Sequence, residues 1–146
     1  MSERKSAARA VGGQSIGGAR RSVKAKPQPA PRKAPQAKRL VARIRDHDSL
    51  AGQDMRFLWL NQWDLSRRDL RRANLQGARL NGVNLSACDL RGAVLEAADL
   101  TGACLRGALL EDANFRNALV SQADFRKAKG LSEATLRVLE ARGARL

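Results

Sequence analysis

The chain has 146 residues, with 28 Lys/Arg against 14 Asp/Glu, one histidine, two cysteines and a formal charge of +14. No stretch is long and apolar enough for a membrane span or for the hydrophobic segment of a secretory signal. Two cysteines are no disulfide framework for a secreted protein, so a reducing, cytoplasmic setting is expected.

Charge is concentrated at the start: residues 1–50 hold 13 basic against 3 acidic side chains, and residues 51–146 hold 15 against 11. All four prolines, Pro27, Pro29, Pro31 and Pro35, fall in the same stretch. Residues 1–36 contain almost no large apolar side chain, too little to offset the entropy of ordering. Residues 1–50 therefore read as a disordered basic arm. Its candidate contacts with a polyanion are Arg20, Arg21, Lys24, Lys26, Arg32, Lys33, Lys38, Arg39, Arg43 and Arg45. An acid-poor N-terminus with Arg and Ser is also what an organelle transit peptide carries, but Pro-Gln-Pro-Ala-Pro reads as a linker. Within the arm, "AKRLVARIR" over 37–45 sets Leu40, Val41 and Ile44 at helical spacing. That is either a basic amphipathic helix that docks on a partner or a frayed turn before the folded domain. His47, between Asp46 and Asp48, reads as linker. "MRFLWLNQW" then concentrates Phe57, Trp59 and Trp63, and an aromatic cap over the open end of the following domain is expected.

From residue 63 the chain repeats every five residues. Leu65, Leu70, Leu75, Leu80 and their successors to Leu110, then Phe115, Val120 and Phe125, recur without an insertion. Two residues before most of these stands a small residue, such as Ala73, Ala78, Cys88, Ala93 or Ala98. Period five fits neither a helix nor a flat strand. Two inward positions two apart describe a three-residue extended segment, and the remaining two residues make a corner. Glycine at Gly77, Gly82, Gly92, Gly102 and Gly107 suits the bend. Segment and corner repeated wind the chain into stacked coils around an apolar column.

The string "ANLQGARLNGVNLSACDLRGAVLEAADLTGACLRGALLEDANF" resembles the pentapeptide-repeat family, with its consensus A-(D/N)-L-x-x. The resemblance implies an all-β solenoid, a right-handed quadrilateral β-helix with four pentapeptides to the coil. Over residues 60 to 130 that gives about three and a half coils, about 17 Å tall at strand spacing. The solenoid domain is expected over 51–130. In "GLSEATLRVLEARG" a short capping helix follows, over 131–146, with Ser132 as N-cap, a Leu131–Leu136 staple and Gly143 as its stop. Such a helix is not stable alone, so it caps the solenoid or pairs with a second copy as a homodimer.

Chemistry is sparse. The repeat region has no histidine to serve a nucleophile, no metal-ligand spacing and no phosphate-binding glycine loop. Asp64, Asp69, Asp89, Asp99 and Asp124 fall on the consensus Asp/Asn slot. No enzyme, cofactor or metal is expected. Arg68 occupies a small-residue slot and should lie on the open rim, reaching water or Asp69. A stacking period of twenty aligns Arg71 over Arg91 and Arg106 over Arg126. Arg67, Arg71, Arg72 and Arg91 are candidate anion contacts, or else solubilising charge. Val94, Cys104, Leu109 and Leu119 stand where polar residues usually do and form a candidate apolar interface. Cys88 points in and Cys104 out, so no disulfide is expected.

The expected function is a non-catalytic structural or adaptor protein. Solenoid faces and the basic arm would hold it to a macromolecular partner, in the cytoplasm or within an assembled particle such as a virion or ribonucleoprotein. A nucleic-acid or anionic-surface binder acting through the arm is the alternative. The family resemblance implies a third, because some members bind DNA gyrase or topoisomerase IV as acidic mimics of duplex DNA. The net positive charge here departs from that pattern.

Overall fold

In the computed structural model, residues 34–46 and 49–146 are described. Parallel one-residue bridges join each outward residue to the one twenty further on: Asp54 to Asn74, Trp59 to Arg79, and so on to Leu109 with Lys129. Bridged positions recur every five residues from Asp54 to Lys129, which is four coils of four short segments. The four walls carry Asp54, Asn74, Val94 and Asn114 on the first; Trp59, Arg79, Asp99 and Leu119 on the second; Asp64, Asn84, Cys104 and Asp124 on the third; Asp69, Asp89, Leu109 and Lys129 on the fourth. The coiled region begins earlier than the leucine pattern suggests. Leu50, Met55 and Leu60 are as buried as the later leucines, although Gln53, Leu58, Trp63 and Arg68 replace the small residues of that first coil.

In the inner coils four of the five backbone donors of a pentapeptide bond to another backbone carbonyl. The central residue donates to the coil below, as Leu75 N does to Val94 O at 2.7 Å. The second corner residue does likewise (Gly77 N to Glu96 O, 2.9 Å), and the small residue closes the turn (Ala78 N to Leu75 O, 3.0 Å). The outward residue donates to the coil above, as Arg79 N does to Leu58 O at 2.8 Å. The first corner N–H is left over, and an Asp or Asn two residues before takes it up where one is present. The second corner residue has positive φ throughout, as a type II turn demands. Glycine fills it at Gly77 and Gly102, but Phe57, Arg67, Arg72 and Ala87 among others hold it at φ near 60°.

Inside, the column runs from Leu50 to Phe125, and among the described residues no polar or charged residue is buried. Burying each leucine is worth about 1.5–3 kcal/mol. Where the final coil changes from leucine to larger rings, Phe115 and Phe125 meet edge to face at 5.6 Å.

Helices close the ends. Helix α1, Ala34–Arg45, begins with proline in its first turn and ends on Arg43 and Arg45, both favourable placements. It belongs to the same compact unit as the coils. Ile44 is buried in their core, Leu40 packs against it, and the Arg43 guanidinium donates to Ser49 O at 3.2 Å. This corrects two expectations. Residues 34–45, within the stretch read as an arm, form a helix docked on the chain's own coils, neither the partner-docking helix nor the frayed turn expected for 37–45, and the aromatic cap is not formed. Trp59 is 61% exposed on the second wall and Phe57 sits on a corner; only Trp63 packs on the core. An aliphatic helix seals the apolar end, so the rings are not needed there. The expected disorder of residues 1–33 and the linker role of His47 lie outside the described residues.

At the other end, α2 spans Glu133–Ala141, with Ser132 Oγ accepting from Thr135 N at 3.1 Å and Leu139 buried. The chain then turns at Gly143 and returns. Arg145 bridges Asp124, and Phe125 N donates to Arg145 O at 2.7 Å, so residues 143–145 cover the third wall's last rung.

Two substitutions test the column. Leu90→Lys should abolish cooperative folding, because a charge there has no route to water, whereas Gln76→Lys should leave the circular-dichroism melt nearly unchanged. At the corners, Gly102→Ala should cost about 1 kcal/mol from left-handed strain alone. Gly77→Ala should cost more, since its Cβ would lie 2.5 Å from the Phe57 ring. Adding Phe57→Ala should bring the second variant back toward the first.

Candidate interaction surface

The outward Asp/Asn slot is occupied by the fold itself. Its side-chain oxygen accepts from the first corner N–H two residues on: Asp64 from Ser66 (3.0 Å), Asn74 from Gln76 (3.1 Å), Asn84 from Ser86 (3.1 Å), Asp99 from Thr101 (3.1 Å) and Asn114 from Arg116 (2.9 Å). A short acceptor placed two residues before a bend makes this bond locally.

Where the pattern is Asp-x-Arg, the carboxylate does more. Asp69, Asp89 and Asp124 accept from the backbone and from both Nε and Nη2 of Arg71, Arg91 and Arg126, at 2.6–2.9 Å for the side-chain bonds. Asp54 holds Arg56 in the same fork, and Arg106 Nε also reaches Asp124 at 2.6 Å. Arg71 lies 3.8 Å from Asp89 as well, which links two coils. Side-chain exposure near one half limits each pair to a small contribution. The forks nonetheless fix where these guanidinium groups sit, and they neutralise them.

The carboxyl groups respond. The Arg71 fork and Ser49 hold Asp69 well below the usual carboxylate range against partial burial. Bonds from Arg91 lower Asp89, and the Ser66 backbone lowers Asp64. Burial pushes Asp99 up, but Thr101 and Asn81 together outweigh it and leave it lowered. Inside the solenoid, burial pushes the Cys88 thiol up to about 11, and its Sγ donates to Leu65 O at 2.8 Å. Both cysteines are free, Cys88 buried and Cys104 partly exposed.

The remaining candidates fall as follows. Arg67 and Arg72 are exposed at corners of the first coil, and Arg39 and Arg45 are exposed on α1. Arg71, Arg72 and Arg91 line an open groove of about 650 Å³ with Glu111 and Asp112 at its lower end. With Asp69 and Asp89 in the forks, that groove carries no excess of positive charge. Arg20, Arg21, Lys24, Lys26, Arg32 and Lys33 lie outside the described residues, as does the side chain of Lys38. Arg68 does not use Asp69, which is taken by Arg71 and Ser49. Its Nη1 is buried and finds no hydrogen-bond partner among the described residues.

The apolar interface is corrected. Val94, Cys104, Leu109 and Leu119 stand on four different walls, and only Leu119, 58% exposed, is a large apolar side chain held in water. A twenty-residue coil sends successive outward slots a quarter turn apart, so neighbours in the pattern cannot share a face. None of the four has an oxygen with which to hold its corner N–H. Trp59 escaped the sequence reading as an outward residue, because the aromatic run around it suggested a cap. The signal was its register, five before Asp64.

Comparison with known proteins agrees with this architecture. The pentapeptide-repeat family model, in eight copies, matches residues 69–107 and 103–146, and the chain belongs to that family. Its fold is the right-handed quadrilateral β-helix. Among solved structures, a pentapeptide repeat protein from Nostoc PCC 7120 is 28% identical over 75% of this chain and 93% of its own, with a TM-score of 0.45. One from the thylakoid lumen of Arabidopsis thaliana is 30% identical over 66% and 79%, with a TM-score of 0.29. Rfr23 from the cyanobacterium Cyanothece 51142 is 20% identical over 63% and 90%, with a TM-score of 0.33. The comparison with curated proteins returned no match. Among the described residues, no helix is long and apolar enough to cross a membrane.

The depressed carboxyls set an acid limb. Their contribution to stability is present above the ordinary carboxylate range, about pH 4, and is lost as pH falls through their lower folded values. Melting temperature should therefore drop below about pH 4. Asp69→Asn, which keeps the corner bond and loses the fork, should show a shallower fall. An unchanged acid limb would mean that the fork does not depress Asp69.

Proposed function

We propose that this pentapeptide-repeat protein is a non-catalytic structural or adaptor component that holds a macromolecular partner through its basic N-terminal arm and the exposed parts of its solenoid. One observation carries the reading. The coils use many of their polar side chains internally, Asp and Asn for corners and Arg56, Arg71, Arg91 and Arg126 for Asp forks, while most of the excess charge sits before the first coil. Residues 1–50 contribute a net +10 of the chain's +14. A polyanionic partner suits that arrangement, because neutralised charge on the arm releases counterions from the partner.

A role as an acidic mimic of duplex DNA is disfavoured by sign. Residues 61–130 hold 11 Lys/Arg against 8 Asp/Glu, a net positive solenoid where a mimic needs a dense acidic surface. A gyrase supercoiling assay should show little effect, or inhibition that disappears with added salt. The direct test is affinity capture with the full chain and with a variant in which Arg20, Arg21, Lys24 and Lys26 are changed to alanine, with and without nuclease. Capture should weaken in the variant and fall steeply with salt. Capture that is insensitive to both would overturn the reading.

A further inference from the structure

The first coil carries two aromatic side chains where the fold gains little from either. Trp59 occupies an outward slot that most often holds Asp or Asn; it cannot bond the N–H of Asn61, and its ring stays 61% exposed. Phe57 occupies the second corner position at φ 60°, where a bulky residue is strained, and it remains 37% exposed. The two lie on neighbouring columns. The Phe57 ring covers Gly77, which leaves it room. The Trp59 ring lies on the guanidinium of Arg79, 4.6 Å from its centroid. The backbone bridge between Trp59 and Arg79 fixes that stack. One ring face is thus held by a cation, and the exposure of the rest leaves the other face to solvent.

We propose that Trp59, supported by Arg79 and flanked by Phe57, is a stacking platform for the bases of a single-stranded nucleic acid. The inference rests on the proposed role of the arm and adds a base-contacting site to it. Every base presents a π-face, so a planar exposed ring with a cationic backing takes single strands without regard to sequence. A chain of net charge +14 supplies the complementary charge. A duplex keeps its bases stacked and offers the platform nothing.

The test is fluorescence anisotropy of the full chain with an oligothymidylate of about sixteen nucleotides and with a duplex of equal length. Trp59→Ala should bind the single strand about tenfold or more weakly, with unchanged salt dependence and unchanged duplex affinity. Trp59→Phe should recover most of the loss. An unchanged circular-dichroism melt in both variants excludes unfolding as the cause. Binding that is equal in wild type and Trp59→Ala, yet weakened by neutralising the arm, would overturn the platform and leave the arm's role standing. No binding of either nucleic acid would overturn the platform. Binding of polyglutamate that depends on Trp59, in place of oligothymidylate, would assign the site to an acidic protein partner and overturn the proposal.

Discussion

The structure depends on one register: each residue lies over the residue twenty positions away. That offset lets a three-residue segment, too short to be a strand alone, donate to the coil above with its outward N–H and to the coil below with its central one. It also places leucine on leucine in an unbroken column with no buried polar residue. Neither feature survives without the other. A slip of one residue would turn the leucines outward and bring the Asp/Asn slot in, and buried carboxylates without partners are among the costliest groups a core can hold.

The same register governs the surface. Because three of the five backbone donors bond to neighbouring coils and one closes the turn, a single N–H per pentapeptide is left for side chains. The Asp/Asn slot answers that need, and the Asp-x-Arg forks extend it into the solvent layer. Side chains that look like a recognition surface are in large part the fold's own fittings. Set apart from these are exposed Trp59, Arg67 and Arg72 and strained Phe57 in the first coil, the basic arm before it, and exposed Leu119 in the last coil.

Much of this architecture was legible in the sequence because the signal is strictly periodic. Leu65 to Phe125 name the column directly. The first coil was harder to read, since Gln53, Leu58, Trp63 and Arg68 break the small-residue half of the pattern while Leu50, Met55 and Leu60 keep the other half. Large side chains are tolerated there because no further coil presses on them from above. Helix α1 was visible as an amphipathic segment, but periodicity cannot say whether Ile44 faces a partner or its own core. The bridge from Asp124 to Arg145 was invisible, because a segment that rejoins the stack after a helix falls out of register by one residue. The interaction surface was least legible. Charge and apolar character were read off the chain, but which arginines are neutralised depends on pairings that only coordinates supply.

Amide hydrogen exchange, resolved residue by residue, tests the central register most directly. Protection should repeat with period five from Asn74 to Leu110, highest at the central, outward and second-corner positions, whose N–H groups bond between coils. The first corner N–H should exchange fastest after Val94, Cys104, Leu109 and Leu119, which have no oxygen to hold it. Protection that is uniform along the chain, or that repeats every three to four residues as in a helix, would contradict the account.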